Sequence, residues 1–114
     1  MPSVSFGKRE RVRFNSDGAL SQWKPMEGPA VYAVTYKQDA ETRPKAHTVI
    51  YFGETDNLVA EAPGIHQHFA KWLNDFAHGV ELFVFTHPMP GSTKFERTRV
   101  ANTLVSEYDP RANN

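Results

Sequence analysis

The chain has 114 residues, 13 basic against 13 acidic, and a formal net charge of zero. That length carries one domain with a single core and leaves no room for a second module, and a balanced charge provides no global field to gather a polyanion. Zero cysteines exclude disulfides, thiolate metal sites and cysteine nucleophiles. No apolar run approaches a signal segment or a membrane span, so the expected setting is soluble and cytoplasmic, away from membranes.

Residues 1–28 are polar, with Asn15-Ser16-Asp17-Gly18 expected as a turn or helix start and Lys8, Arg9, Arg11 and Arg13 as the one local basic cluster. Val4, Phe6, Val12, Phe14, Leu20 and Trp23 are spaced through this stretch, which suits an extension packed on a domain formed by residues 29–114. The basic cluster reads as a solvated face, with phosphate contacts from a flexible arm as the functional alternative.

Residues 30–37 alternate, Tyr32, Val34 and Tyr36 on one face and Val31, Ala33 and Thr35 on the other, which predicts a strand. A second strand is expected over 47–52, joined to the first by a polar loop over 38–46. Thr55 or Asp56 can cap a short helix over 57–62 that Pro63-Gly64 ends.

Ile65, Phe69, Trp72, Leu73 and Phe76 recur at offsets of four, seven, eight and eleven, one stripe of a further helix that Gly79 closes. Residues 82–86 form a third apolar strand, and His87-Pro88-Met89-Pro90-Gly91 reads as a loop. Thr93 with Glu96 makes a capping box for a last helix reaching Tyr108, with Arg97, Ala101, Leu104, Val105 and Tyr108 inward and Asp109-Pro110 as its stop. The expected fold is α+β, a small α/β domain whose three-stranded, mostly antiparallel sheet is flanked by helices, in the order β-β-α-α-β-α after the amino-terminal extension.

Ala30-Val31-Tyr32, then Tyr51-Phe52-Gly53-Glu54-Thr55-Asp56-Asn57-Leu58, then Leu104-Val105, Tyr108, Pro110 and Asn113 carry a motif pattern spanning nearly everything from Pro29 to Asn113. In these residues the chain resembles the GIY-YIG nuclease family. The resemblance implies two tyrosines near an attacking water, an arginine on the phosphate, a glutamate on one divalent cation and a supporting asparagine. Tyr32, Tyr51 and Asn113 match; Glu61 and Ala101 stand where the family places the arginine and the glutamate.

Cleaving a phosphodiester needs a base, a cation for the charge that builds on phosphorus, and usually a metal. Glu61 would repel a phosphate, and Ala101, on the inward stripe of the last helix, supplies no ligand where a glutamate would project into the cleft. The cleft expected from sequence therefore comprises Tyr32, Tyr51, Gly53, Glu61, His66, Arg97, Ala101 and Asn113. Gly53 would allow a tight turn after its strand, and Arg97 is a surviving cleft charge that can pair with Glu61. The purely structural alternatives are tyrosines packed in the core and a frayed end at Asn113. His66 and His68, two apart on a helix, make a poor chelate, and no metal site is assigned. His78 suits a helix C-terminus; His47 and His87 are assigned nothing.

Three functions are open on sequence. The first is a catalytically degenerate domain acting as a nucleic-acid-binding or regulatory module without a cofactor. The second is a working DNA endonuclease with a rearranged site of Tyr32, Tyr51, Arg97 and His66, using Mg²⁺ or Mn²⁺. The third is a protein interaction domain with no nucleic-acid role; the ligand, the protein partner and the oligomeric state are left open.

Overall fold

Strand β3, Ala30–Lys37, shows why this sequence makes a two-sided sheet. Both of its faces are apolar, Val31 and Ala33 on one and Ala30, Tyr32 and Val34 on the other, and all are buried. Such a strand is stable only at the centre of a sheet with a layer on each side. In the computed structural model, which describes residues 3–8, 11–37, 47–76 and 81–113, β3 has that place. Around it lie β1 (Ser3–Phe6), β2 (Val12–Ala19), β4 (His47–Thr55) and β5 (Leu82–Pro88), with helices α1 (Leu58–Phe76) and α2 (Lys94–Tyr108). The sheet order is β1-β2-β5-β3-β4, and every neighbouring pair is antiparallel.

The class is thus α+β as expected, but the sheet has five strands rather than three, because the amino-terminal segment supplies β1 and β2. Its polar composition hid them. Val4 pairs with Phe14 and Phe6 with Val12, and Phe6 meets Phe14, Phe52 and Phe85 edge to face at 5.2, 5.6 and 5.9 Å. Asn15-Ser16-Asp17-Gly18, expected as a turn or helix start, is instead a bulge inside β2. The register against β5 shifts between Ser16 and Ala19, and Gly18 takes φ 86°, a conformation open to glycine.

The two helices expected on either side of Pro63-Gly64 are one helix, α1, with Pro63 inside it. Pro63 removes the hydrogen bond to the Val59 carbonyl and costs about 3 kcal/mol. Against that, Leu58, Ala62, Ile65 and Phe69 form an unbroken buried stripe across the proline, and each large apolar side chain contributes about 1.5–3 kcal/mol on burial. Burial wins, and Val59, Pro63 and Gly64 lie on the exposed side, where water can reach the unpaired carbonyl.

The cap of α1 is Asn57, not Thr55 or Asp56: its Oδ1 accepts from Val59 N at 3.1 Å, while Thr55 Oγ1 accepts from Asn57 N at 3.1 Å. The expected helix stop at Gly79, His78 and the 38–46 loop lie outside the described residues.

Strand β5 continues through His87 and Pro88, which sequence assigned to a loop. Its last pair with β2 is Asn15 with Thr86, while Pro88 pairs with Ala30 of β3. Pro88 therefore lies beyond the β2 ladder, where its missing N–H breaks no bond on that side. The capping box of α2 is present as read: Thr93 N donates to Glu96 Oε1 at 2.8 Å and Glu96 N to Thr93 Oγ1 at 3.2 Å. The Thr93 backbone donor holds the Glu96 carboxyl below the usual carboxylate range. Asp109, at φ 47°, closes the helix by donating from N to the Val105 carbonyl.

The helices lie on opposite faces. Leu58, Ala62, Ile65 and Phe69 of α1 pack on Ala30, Tyr32, Val34 and Ile50, whereas Ala101 and Leu104 of α2 pack on Val31, Ala33, Phe52 and Phe85. A register shift between Val34 and Thr35 leaves Ile50 as an extra residue in β4, and this places both Ile50 and Tyr51 on the α1 side. No helix among the described residues is long and apolar enough to cross a membrane.

Candidate functional site

Tyr32 stands opposite Gly53 in the β3–β4 ladder, and Tyr51 lies two residues along the same face. Their rings are 5.9 Å apart, tilted by 36°. Gly53 makes this possible. A Cβ built there would sit 2.5 Å from Tyr32 Cζ and Oη and 2.7 Å from Tyr51 Cε2, closer than any side chain tolerates. Sequence assigned this glycine to a tight turn; it lies inside β4 with no positive φ, and its role is to let two aromatic rings cover the strand.

Tyr32 is 5% exposed. Burial, then the neighbouring Tyr51 hydroxyl to which it is hydrogen-bonded, then the carboxylates of Glu61 and Glu54, push its phenol well above the ordinary tyrosine value. Burial and these neighbours thus disfavour the phenolate form of Tyr32.

Beside the pair, the sheet and α1 enclose an open cleft of about 430 Å³ lined by Tyr32, Tyr51, Glu61, Gly64, His68 and Phe69, with Ala112 at its edge. Glu61 reaches it from the first turn of α1. His68 lies with its ring 6.3 Å from that of Tyr51. His66, the histidine assigned to the cleft from sequence, is turned toward Trp23 at 6.0 Å and does not line it. The helix being continuous through Pro63-Gly64 sets this register: Ile65 and Phe69 face the sheet, and His68, beside Phe69, flanks the opening.

The other expected members separate from the tyrosines. Arg97 is on the far face: its Nε donates to Glu54 Oε2 at 3.0 Å, and its Nη1 to the Ser92 carbonyl at 2.8 Å and Ser92 Oγ at 3.1 Å. It does not pair with Glu61. Strand parity explains the difference, since Phe52 and Glu54 project toward α2 while Tyr51 and Gly53 project toward α1. Glu54 went unassigned from sequence, although counting that alternation from Tyr51 would have found it. Ala101 likewise packs among Phe6, Phe52 and Leu104 on the α2 face, so a longer side chain there would enter an apolar layer and not the cleft.

Asn113 is neither frayed nor inside the cleft. Its Oδ1 accepts from Phe52 N and its Nδ2 donates to the Phe52 carbonyl, both at 2.9 Å, so it pairs with the outer edge of β4 as a short strand would. That bond pair holds Ala112 at the cleft margin.

Of the basic cluster, Lys8, Arg11 and Arg13 are exposed around the β1–β2 turn, and Arg9 lies outside the described residues. The Lys8 backbone N donates to Glu107 Oε2 at 2.6 Å, and its Nζ lies 5.9 Å from the centre of the Tyr108 ring. Among the described residues no three histidine or acidic side chains gather as a metal site.

No protein-family model, curated protein or solved structure matches the chain.

Proposed function

We propose that the chain is a non-catalytic nucleic-acid-binding or regulatory module on a GIY-YIG-like frame, its tyrosine cleft kept for recognition rather than cutting. One observation carries this reading: Arg97, the cation left over from the expected site, is engaged by Glu54 on the opposite face of the sheet. The cleft presents Glu61 beside the protonated Tyr32, a field that disfavours a phosphate and the charge that grows on it. Removing one preorganised donor from such a site typically lowers the rate by about a hundredfold to a thousandfold.

Nucleic-acid contact in this reading falls to Lys8, Arg11 and Arg13 on the amino-terminal hairpin, away from the cleft. The test is incubation with plasmid, single-stranded and branched DNA in Mg²⁺ or Mn²⁺, read for cutting and for retention. Retention that weakens with salt and in Arg11→Ala/Arg13→Ala, without cutting, supports the module. Cutting that disappears in Tyr32→Phe overturns it, and no retention at low salt turns the regulatory role toward a protein partner.

A further inference from the structure

We propose that the cleft between α1 and the sheet binds an organic cation, a guanidinium or ammonium group seated between the face of Tyr51 and the Glu61 carboxylate. This rests on reading the cleft as a binding site rather than a cutting one. Three features of its lining point the same way.

First, its walls are aromatic. Tyr32 and Tyr51 are tilted against each other, and Phe69 meets Tyr51 edge to face at 5.6 Å. Ring faces carry negative charge density and attract cations, most strongly where water is partly excluded. Second, Glu61 brings a full negative charge to the rim, and among the described residues it forms no ion pair. A carboxylate in the first turn also complements the helix dipole, but that explains its sign and not its place beside two tyrosines. Glu54, the other carboxylate near Tyr32, is neutralised by Arg97 and Lys94 on the far face.

Third, the cleft offers several acceptors, among them a carboxylate. The Glu61 carboxylate oxygens and the phenol oxygens of Tyr32 and Tyr51 line the cleft together, and each can accept a hydrogen bond. Such a lining suits a group that only donates: a guanidinium has five N–H donors and an ammonium three, and neither accepts. Among the described side chains that line the cleft, no lysine or arginine offsets Glu61 for an anion. A volume of about 430 Å³ admits one long side chain or a small amine.

The cation can come from a basic residue of a peptide or from a free amine, and the experiment separates them. Isotope-labelled full-length chain is titrated with Nα-acetyl-arginine amide, with its uncharged isostere Nα-acetyl-citrulline amide, with cadaverine and with inorganic phosphate, reading the backbone amides of Tyr51, Gly53 and Glu61. The expected result is saturable shifts with the two cations, binding of the citrulline compound weaker by roughly tenfold, and none by phosphate. Tighter binding of the arginine compound than of cadaverine points to a peptide, the reverse to a free amine, and both support the site.

Glu61→Gln, an exposed helical position that leaves the core untouched, weakens cation binding by roughly threefold to tenfold. Equal binding of the citrulline compound, phosphate shifting the same amides, indifference to Glu61→Gln, or no saturable shift at all overturns the proposal. Failure here is distinct from failure of the non-catalytic reading, which shows as tyrosine-dependent DNA cutting.

Discussion

Arg97 Nε donates to Glu54 Oε2 at 3.0 Å, joining the first turns of α2 to the end of β4 on the face away from the tyrosines. The Arg97 side chain is 5% exposed and that of Glu54 17%, so the guanidinium depends on Glu54 and the Ser92 oxygens, and the carboxylate depends chiefly on Arg97. Removing one member leaves a desolvated charge behind. Arg97→Ala and Glu54→Ala are each expected to lower unfolding free energy by about 3 kcal/mol. Lys94→Ala, on a lysine 82% exposed and 3.5 Å from the same carboxylate, should change it by less than about 0.5 kcal/mol. Urea unfolding of the three variants checks the ranking.

Gly53→Ala tests the aromatic cover of β4. The new methyl group meets the Tyr32 and Tyr51 rings inside contact distance, and relieving that overlap by moving packed rings costs roughly 1–3 kcal/mol. The same substitution at Gly64, where a Cβ has open space, should stabilise by about 0.5–1 kcal/mol through helix propensity. Opposite signs of the two changes in thermal or urea unfolding are the expected outcome.

The buried phenol of Tyr32 makes stability fall at alkaline pH. Below about pH 10 both the folded and unfolded chains hold the proton. Above it the unfolded chain releases the proton while Tyr32, its value raised by burial and by Tyr51, retains it. The unfolded state is then favoured by up to about 1.4 kcal/mol per pH unit. Tyr32→Phe should flatten this fall between pH 9.5 and 11.5 in roughly that proportion, as read by urea midpoints.

Asn113 is expected to act as a removable edge clip. Asn113→Ala deletes two bonds to Phe52 on a strand edge that water can reach, so the loss is modest, about 1 kcal/mol. Hydrogen exchange at the Phe52 amide should accelerate, while that of Ala33, inside the β3 ladder, follows global stability alone.

The parts legible in the sequence are those set by short-range pattern. The alternation of 30–37, the capping box at Thr93 and Glu96 and the inward stripe of α2 each declare themselves within a few residues. What escaped depends on partners distant in the chain. Asn15-Ser16-Asp17-Gly18 has turn composition, and only Phe14 locking onto Phe6 and Phe52 makes it a bulged strand. Pro63-Gly64 has breaker composition, and only the stripe from Leu58 to Phe69 against the sheet carries a helix through it. In the site, the tyrosine pair and Glu61 were legible, whereas Arg97 was set on the wrong side. Its inward helical position says that it is buried, not which face of the sheet buries it, and Glu54 decides that.

Whether the tyrosine cleft recognises or cuts is read most directly by one comparison: wild type and Tyr32→Phe incubated with supercoiled, single-stranded and branched DNA in Mg²⁺ and in Mn²⁺. The expected result is the same uncut substrates with both proteins. Cutting by the wild type that is lost in Tyr32→Phe would contradict it, and would return the cleft to catalysis without the charge of Arg97.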